Sequence, residues 1–130
     1  MSLTSSFRIS AAGLQAERYR MDVISSNLAN ANTTRVNGQD PYRRKMVVLM
    51  PEADGGVRIQ NTVADMTPFR EVNDPGNPFA DERGIVIYSN VDPITEMVDM
   101  ISASRAYEAN LNAFQLTRQM IQSAIDIGRV

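Results

Sequence analysis

The stretch of sequence that determines the fold is residues 92–128, DPITEMVDMISASRAYEANLNAFQLTRQMIQSAIDIG. Its first two residues predict a helix start, because Asp92 is a good N-cap and Pro93 fits the first helical position. No other Pro or Gly interrupts the stretch before Gly128, which predicts the helix end. These features together predict one long, uninterrupted helix.

This helix carries apolar residues on two nearly opposite faces. The first face follows 3-4 spacing, with interruptions at Ser104 and Arg118. It consists of Met97, Met100, Tyr107, Leu111, Phe114, Ile121 and Ile125. The second face consists of Ala109, Ala113, Leu116, Met120, Ala124 and Ile127. Since one partner covers only one face, a helix of this kind requires burial on two sides.

The same two-faced pattern occurs near the start of the chain, from about Leu3 to Asn30, where no Pro is present. The first face repeats every seven residues and consists of Phe7, Leu14, Met21 and Leu28. The second face consists of Ile9, Ala12, Ala16, Tyr19 and Val23. Residues 27–34 are rich in Asn and Thr, which disfavour helix interiors, so we expect this helix to end there.

The first faces of the two helices predict that the helices pair as an antiparallel coiled-coil-like hairpin, about 40–50 Å long at 1.5 Å per residue. The second faces then need other cover, because burying each Leu or Ile contributes roughly 1.5–3 kcal/mol. We therefore predict intersubunit packing, with a compact monomer as the alternative. The predicted intersubunit residues are Ile9, Ala16, Tyr19, Val23, Ala109, Ala113, Leu116, Met120 and Ile127.

The residues between the helices, from Arg35 to about Asn90, contain five of the six Pro and five of the seven Gly. β-prone runs at 45–50, 56–60 and 84–88 predict strands, and 63–71 predicts a fourth. The Asp54-Gly55-Gly56 stretch predicts a hairpin turn, and 74–78 a loop. The predicted fold is mainly α with a small β-rich insertion. Its predicted parts are an N-terminal helix at 1–34, the insertion at 35–90 and a C-terminal helix at 91–130.

Composition limits the chemistry that the chain can perform. The 130 residues include no Cys and no His, which removes the thiolate nucleophile, the disulfide and the commonest general base and metal ligand. A formal net charge of −2 argues against nucleic acid as a partner. No run of eighteen apolar residues predicts insertion into a lipid bilayer, and the first residues lack the pattern of a cleaved secretory signal. We expect no catalytic residues, no cofactor and no metal, and therefore no enzyme.

Charged residues outside the helix faces allow other interpretations. Glu96 and Asp99 are acid–base candidates, but their place on a helix flank favours surface roles. The run Arg43-Arg44-Lys45 favours solvated side chains or an intersubunit ion pair over a patch for an anionic partner. A Ser nucleophile beside Lys45 is the remote enzymatic alternative. The possible calcium ligands do not match the EF-hand spacing and favour a turn; they are Asp74, Asn77, Asp81 and Glu82.

The end of the first helix carries a resemblance to a known family. Residues 25–34, SSNLANANTT, followed by residues 41–45, PYRRK, resemble the signature of the bacterial flagellar rod and hook family. Further matches lie at 21–24, 74–76, 90–97 and 104–110. Residues 34–40 intervene before Pro41, as in the short proximal rod members. The motif residues are Asn27, Asn30, Asn32, Thr33, Pro41, Tyr42 and Arg43. On spacing alone, residues 30–33 favour an ordinary helix end. The resemblance favours the elbow between the helix and the insertion instead.

The resemblance implies a structural subunit of the proximal rod of the flagellar basal body. Such a subunit polymerises through its terminal helices into a hollow, torque-transmitting axle in the periplasmic space, after export without a cleaved signal. The implied partners are the protein itself, other proximal and distal rod proteins, membrane-ring or rod-base adaptor proteins, and the flagellar type III export apparatus. A soluble helical adaptor that forms a defined small oligomer is the alternative function.

Overall fold

The computed structural model describes residues 2–129. Two long helices flank a β region. In chain order the elements are α1 (Leu3–Ala29), β1 (Lys45–Pro51), β2 (Val57–Ala64), β3 (Arg70–Asn73), β4 (Ile85–Tyr88) and α2 (Pro93–Ile127). This arrangement confirms the predicted mainly α fold with a small β insertion between terminal helices.

The ends of both helices lie where the sequence predicts them. The Asp92 carboxylate accepts hydrogen bonds from the Ile94 N–H (3.2 Å) and the Thr95 hydroxyl (2.6 Å), which caps the start of α2. The hydroxyl of Thr95 is the main reason that the pKa of Asp92 lies below its ordinary value. At the other end, α2 stops directly before Gly128. Helix α1 ends at Ala29, inside the Asn-rich stretch.

The β region consists of two hairpins. Strands β1 and β2 are neighbours in one two-stranded sheet, and the Glu52 N–H donates to the Gly56 carbonyl (2.8 Å) across their turn. Gly55 has a φ of 89°, a left-handed conformation that favours glycine, so the predicted turn at residues 54–56 is confirmed. Strand β3 pairs antiparallel with β4 over the register Arg70↔Tyr88 to Asn73↔Ile85.

The predicted fourth strand at 63–71 is wrong in its bounds. Strand β2 continues to Ala64 and β3 begins only at Arg70, so the prediction joined the end of one strand to the start of the next. The cause lies between them, where the Thr67 N–H donates to the Asp65 carboxylate (2.9 Å) and forms a local turn before Pro68. Such a side-chain hydrogen bond competes with strand pairing.

The chain divides into two compact units, and each contains parts of both helices and of the β region. The described part of unit 1 covers residues 2–21, 47–61 and 101–129, and unit 2 covers 22–46 and 62–100. The predicted division into three parts in chain order stays a prediction. Within each unit, helix segments and insertion segments lie together.

In unit 1 the two helices pack in opposite directions. The rings of Phe7 and Phe114 lie 4.1 Å apart between centroids. Further along α1, the backbone at Gly13 approaches Asn110 so closely that an added Cβ would lie 2.8 Å from its Nδ2. Contact positions therefore rise along α1 while they fall along α2, which is the predicted antiparallel arrangement.

The β1–β2 hairpin covers the second face of α1 in unit 1. Arg8 forms an ion pair of 2.6 Å with Asp54 in the hairpin turn, and Ile9 Cδ1 lies 3.7 Å from the position of a Cβ on Gly55. Ala16 is only 2% exposed. The prediction that Ile9 and Ala16 face a neighbouring copy therefore needs correction, because the chain's own hairpin already occupies their side of the helix.

Candidate functional site

Most of the deeply buried positions of the two helices are small or polar, and Ile24 is the exception. They are Ser10, Gly13, Ala16, Ile24 and Asn27 on α1, and Glu96, Ala103 and Thr117 on α2. Most of the large apolar residues predicted to pack between the helices are half-buried. They are Phe7, Leu14, Met21 and Leu28 on α1, and Met100, Tyr107, Leu111, Phe114 and Ile121 on α2.

Two residues that were predicted to pack between the helices are exposed instead. Met97 is 55% exposed and Ile125 is 51% exposed. Met97 follows the fully buried Glu96, and one helical step turns its side chain by about 100° away from that direction. Phe114 contacts Phe7 near the start of α1, and the two helices run in opposite directions. Ile125, further along α2, therefore lies beyond the first residue of α1. Neither residue therefore has the intrachain packing role that the 3-4 spacing predicts.

Most of the predicted intersubunit residues lie on the protein surface. On the second face of α2 the predicted intersubunit residues are Ala109, Ala113, Leu116, Met120 and Ile127, all of which are exposed. Its three large members are each at least half exposed. On α1, Tyr19 is exposed and Val23 is half-buried. The apolar face of α2 is thus available for a partner.

Asn27 is the centre of a polar cluster in unit 2. Its Oδ1 accepts hydrogen bonds from the Tyr42 hydroxyl (2.9 Å) and the Lys45 N–H (3.0 Å). Its Nδ2 donates to the Lys45 carbonyl (2.9 Å) and to Glu96 Oε2 (3.1 Å). The buried amide therefore connects the end of α1, the start of β1 and the first turn of α2.

Glu96 is 0% exposed and forms an ion pair with the Nε of Arg44. The same guanidinium reaches Asp65 (3.2 Å) and Asp99 (3.3 Å). Burial alone would lower the pKa of Arg44, but the hydrogen bond and charge of Glu96, reinforced by Asp65, raise it above its ordinary value. The Thr67 N–H is the main reason that the pKa of Asp65 is lowered, with Arg44 contributing.

These contacts correct the sequence interpretation of three charged residues. Glu96 and Asp99 were expected to have surface roles, and Arg44 was expected to be solvated or to pair with a neighbouring subunit. Instead they form one intrachain network, because the planar guanidinium provides several donors in a fixed geometry. Burial of such a charge is tolerated only when it is paired and hydrogen-bonded. The predicted surface role is therefore wrong for Glu96, which is fully buried.

The other motif residues surround this network. The Thr33 hydroxyl donates to the Asn30 carbonyl (2.9 Å) and accepts from the Tyr42 N–H (3.0 Å). Arg43 donates to the carbonyls of Asp65 and Thr67 (3.1 Å each), and its guanidinium lies 4.1 Å from the Phe69 ring centroid. Pro41 is buried, whereas Asn32 is exposed.

Two features of this region escaped the sequence analysis. Asn90 accepts from the Arg44 N–H (2.7 Å) and donates to the carbonyls of Asp65 (3.0 Å) and Thr67 (3.1 Å). No pattern around Asn90 predicts these contacts. By contrast, the Asn37-Gly38 pair forms a tight turn with φ values of 50° and 79°, and an Asn-Gly dipeptide is a strong turn signal that could have predicted it.

The remaining candidates support no chemistry. Lys45 is exposed, not in a pocket, and its ammonium lies 5.7 Å from the Tyr42 ring centroid. Asp81 accepts hydrogen bonds from the N–H groups of Arg83 and Ile85 (2.9 Å each), and the Ile85 contact is the main cause of its lowered pKa. Within residues 2–129, no acidic cluster has the arrangement of a metal site, and neither helix is long and apolar enough to cross a bilayer.

An exposed apolar helix face and a buried intrachain polar cluster are typical of a structural protein. Comparison with known proteins identifies the class more narrowly. Residues 7–35 match the family model described as "Flagella basal body rod protein", and residues 82–127 match "Flagellar basal body rod FlgEFG protein C-terminal". The two matches cover the two helical ends of the chain.

Similar proteins from several bacteria extend the match to nearly the whole chain. The Flagellar basal-body rod protein FlgC of Bacillus subtilis is 42% identical over 150 aligned positions, which include 99% of this chain and 100% of the relative. Those of Yersinia enterocolitica and Salmonella typhimurium are 40% and 37% identical over 134 positions, with the same coverage. The chain belongs to the flagellar basal-body rod protein FlgC family, a structural family that is not enzymatic.

Proposed function

We propose that this chain is a structural subunit of the proximal rod of the bacterial flagellar basal body and polymerises through its terminal helices. The observation that carries the proposal is the full-length similarity to relatives named as basal-body rod proteins. The polymer that these subunits form is a hollow axle that transmits torque. The chain contributes no reaction to this function, only a surface that packs and a structure that resists deformation.

The exposed face of α2 supports polymerisation. Leu116, Met120 and Ile127 are large apolar residues on one stripe, and each is at least half exposed. Burying such a side chain fully is worth roughly 1.5–3 kcal/mol. Large contiguous apolar patches on a protein surface usually mark an interaction site. A subunit that packs against neighbours along this face recovers that free energy on assembly.

The polar cluster supports a mechanical role. Asn27 uses both atoms of its amide, and Glu96 accepts from both Asn27 and Arg44. A buried polar network in which every group is satisfied rigidifies a structure and favours one arrangement of its parts. In unit 2 the cluster would keep the end of α1, the loop after it and the first turn of α2 in one arrangement while load passes through the subunit.

The proposed partners follow from the family. They are further copies of the chain, other proximal and distal rod proteins, and membrane-ring or rod-base adaptor proteins. The proposed location is the periplasmic part of the basal body, reached through the flagellar type III export apparatus without removal of a signal peptide. The rod names of the relatives support the basal-body location most directly.

The test is complementation of a motile bacterium that lacks its own FlgC protein. We expect the wild-type chain to restore rods and swimming, and Met120→Asp to restore neither while circular dichroism shows unchanged helix content. Gln119→Asp is the matched control, because it adds the same charge to the neighbouring exposed position, off the apolar stripe. Failure of the wild-type chain to restore rods would contradict the proposal.

A second measurement separates the rod from the soluble adaptor. Sedimentation of the purified chain at increasing concentration should show monomers giving way to open-ended polymers. A discrete dimer or tetramer whose size does not change with concentration would favour the adaptor instead.

A further inference from the structure

We propose that Asn37 is a site of spontaneous deamidation and that the tight turn which carries it controls the rate. Asn37 and Gly38 form the tip of the segment at residues 34–40, to which the proposed function gives no role. The reaction converts the asparagine to aspartate or isoaspartate, and its only co-reactant is water. It concerns one turn within unit 2, so it does not depend on the proposed function.

The segment at 34–40 is anchored at both of its ends. At its start, the Arg35 N–H donates to the Ile87 carbonyl (2.8 Å). Just beyond its end, the Tyr42 N–H donates to the Thr33 hydroxyl (3.0 Å). The tip of the segment can open without breaking either anchor, so its opening is a local event rather than unfolding of unit 2.

The tip itself is a two-residue turn. The Gln39 N–H donates to the Val36 carbonyl (2.9 Å), and the Val36 N–H donates to the Gln39 carbonyl (3.2 Å). Between them, Asn37 and Gly38 have φ values of 50° and 79°, both in the left-handed region. Asn and Gly tolerate this conformation better than other residues, which explains why they occupy the turn.

The two groups that react are both accessible. Asn37 and Gly38 are exposed. Within residues 2–129, no hydrogen bond engages the side-chain amide of Asn37 or the N–H of Gly38. A Cβ placed on Gly38 would have no atom within 4 Å, so the space around this residue is open. Glycine also offers the least hindered backbone nitrogen, because it has no side chain.

The reaction joins these two groups in a ring. The Gly38 nitrogen gives up its proton to base and attacks Cγ of Asn37. A C–N bond forms, the bond from Cγ to Nδ2 breaks, and the amide nitrogen leaves as ammonia. Water then opens the five-membered succinimide, either at Cγ to give aspartate or at the backbone carbonyl carbon to give isoaspartate. The net change is uptake of one water and release of one ammonia.

The closed turn slows this ring closure. In the left-handed conformation, the Gly38 nitrogen lies on the far side of the Cα–C bond from the Asn37 side chain. Rotation about that bond brings the two together but breaks the two hydrogen bonds that close the turn. The ion pair between Arg35 and Asp40 beside the turn is exposed and adds little restraint. We therefore expect the folded chain to react about tenfold to a hundredfold more slowly than the unfolded chain.

The two products affect the turn differently. Isoaspartate routes the backbone through Cβ and Cγ, which lengthens the turn by one atom, so Val36 and Gln39 can no longer exchange both hydrogen bonds. Aspartate keeps the turn, because an Asp-Gly pair also suits it. Each product adds one negative charge and changes the formal net charge from −2 to −3. Deamidation thus distinguishes chains that have spent time with this turn open.

The test follows the purified full-length chain in mildly alkaline buffer, both folded and in urea. Trypsin then releases residues 36–43, in which Asn37 is the single Asn, and residues 21–35, which contain three. Mass spectrometry detects replacement of NH2 by OH, fragment ions distinguish Asn37 from Gln39, and chromatography against synthetic peptides separates aspartate from isoaspartate. We expect both products at Asn37, formed about tenfold to a hundredfold faster in urea, while the peptide at 21–35 stays unmodified.

Gly38→Ala tests whether the Gly38 nitrogen is the nucleophile. The comparison is made in urea, where strain at a positive φ has no effect, and Gly38→Ala should lose most of the reaction. Gly76→Ala is the matched control, because it makes the same change at an exposed glycine away from Asn37, and it should react as the wild-type chain does. A Gly38→Ala rate equal to that of the wild-type chain would overturn the proposed chemistry.

Two further outcomes would contradict the proposal. Deamidation of the peptide at 21–35 as fast as that of Asn37 would show that Asn37 is not a preferred site. Equal rates for Asn37 in the folded and the unfolded chain would show that the turn does not control the reaction.

Discussion

Replacing Glu96 by Gln tests whether the polar cluster of unit 2 contributes to stability as the geometry indicates. Glu96 is fully buried and accepts hydrogen bonds from two donors, Asn27 Nδ2 and Arg44 Nε. Gln has almost the same shape but only one acceptor oxygen. Its NH2 group must therefore face one of the two donors. The substitution leaves packing intact and places two donors against each other.

The magnitude follows from the groups that lose a partner. Removing one member of a buried ion pair costs about 3–5 kcal/mol when the other charge is left alone. Here Arg44 keeps Asp65 and Asp99, and Asn27 keeps the Lys45 carbonyl. The loss then approaches that of one charged hydrogen bond and one unsatisfied donor, so we expect about 2–3 kcal/mol.

The assay is urea unfolding monitored by circular dichroism, with Glu71→Gln as the control. Glu71 is an exposed glutamate on β3, so its replacement should change the free energy of unfolding by no more than about 0.5 kcal/mol. Arg44→Met in both backgrounds completes a double-mutant cycle, for which we expect a coupling energy of about 1–3 kcal/mol. A Glu96→Gln effect no larger than the control would refute the reasoning that the network stabilises unit 2.

Three further predictions address other parts of the chain. Gly13→Ala should lower the free energy of unfolding by about 1–2 kcal/mol despite the better helix propensity of Ala, because the new methyl overlaps Asn110. Thermal unfolding measures this effect. The double variant Gly13→Ala with Asn110→Ala should recover the lost stability. Phe114→Asp should cost about 3–5 kcal/mol and abolish swimming, whereas Ala113→Asp should leave thermal unfolding unchanged and block only assembly; equal unfolding of both would contradict the division of faces. The pKa of Asp65 is lowered in the folded chain. The stability that the Asp65 carboxylate contributes is therefore present above its unfolded pKa of about 3.9 and is lost as the pH falls through its folded pKa. The urea concentration at the unfolding midpoint should be constant from about pH 7 to 5 and decrease below about pH 4, and this decrease should be less steep in Asp65→Asn.

The fold could be predicted from the sequence because its main elements have local signals. The cap at Asp92 and the stop at Gly128 bound α2 correctly, and the turn at residues 54–56 was evident from its glycines. The division of the residues between the two helices into two hairpins was harder to predict from the sequence. The break between β2 and β3 depends on one Asx turn at Asp65, and β-prone composition on both sides of it conceals the turn.

The faces of the helices were only partly predictable, because apolar spacing does not say which partner covers a stripe. Ala16 shares a stripe with Tyr19, yet it is buried and lines a cavity together with Val57 and Ile59 of a hairpin that is distant in sequence. Met97 and Met100 share a stripe in the pattern, although only Met100 packs within the chain. A polar residue such as Glu96 gives no periodic signal at all, so its buried role depends on Arg44, which lies far away along the chain.

The distribution of buried residues itself argues for an assembled protein. The buried apolar residues of the described chain are Ala16, Ile24, Ala31, Val86, Val91 and Ala103, and none of them is a Leu, Met or aromatic residue. Many of its largest apolar side chains are exposed instead. A monomer stabilises itself by burying large apolar side chains, each worth about 1.5–3 kcal/mol, so this chain alone has a thin core supplemented by polar contacts. Its unused apolar surface is concentrated on α2, and we infer that neighbouring subunits cover on assembly the large apolar residues that the monomer leaves exposed. A subunit built in this way becomes fully stable only in the polymer, where its neighbours complete the core.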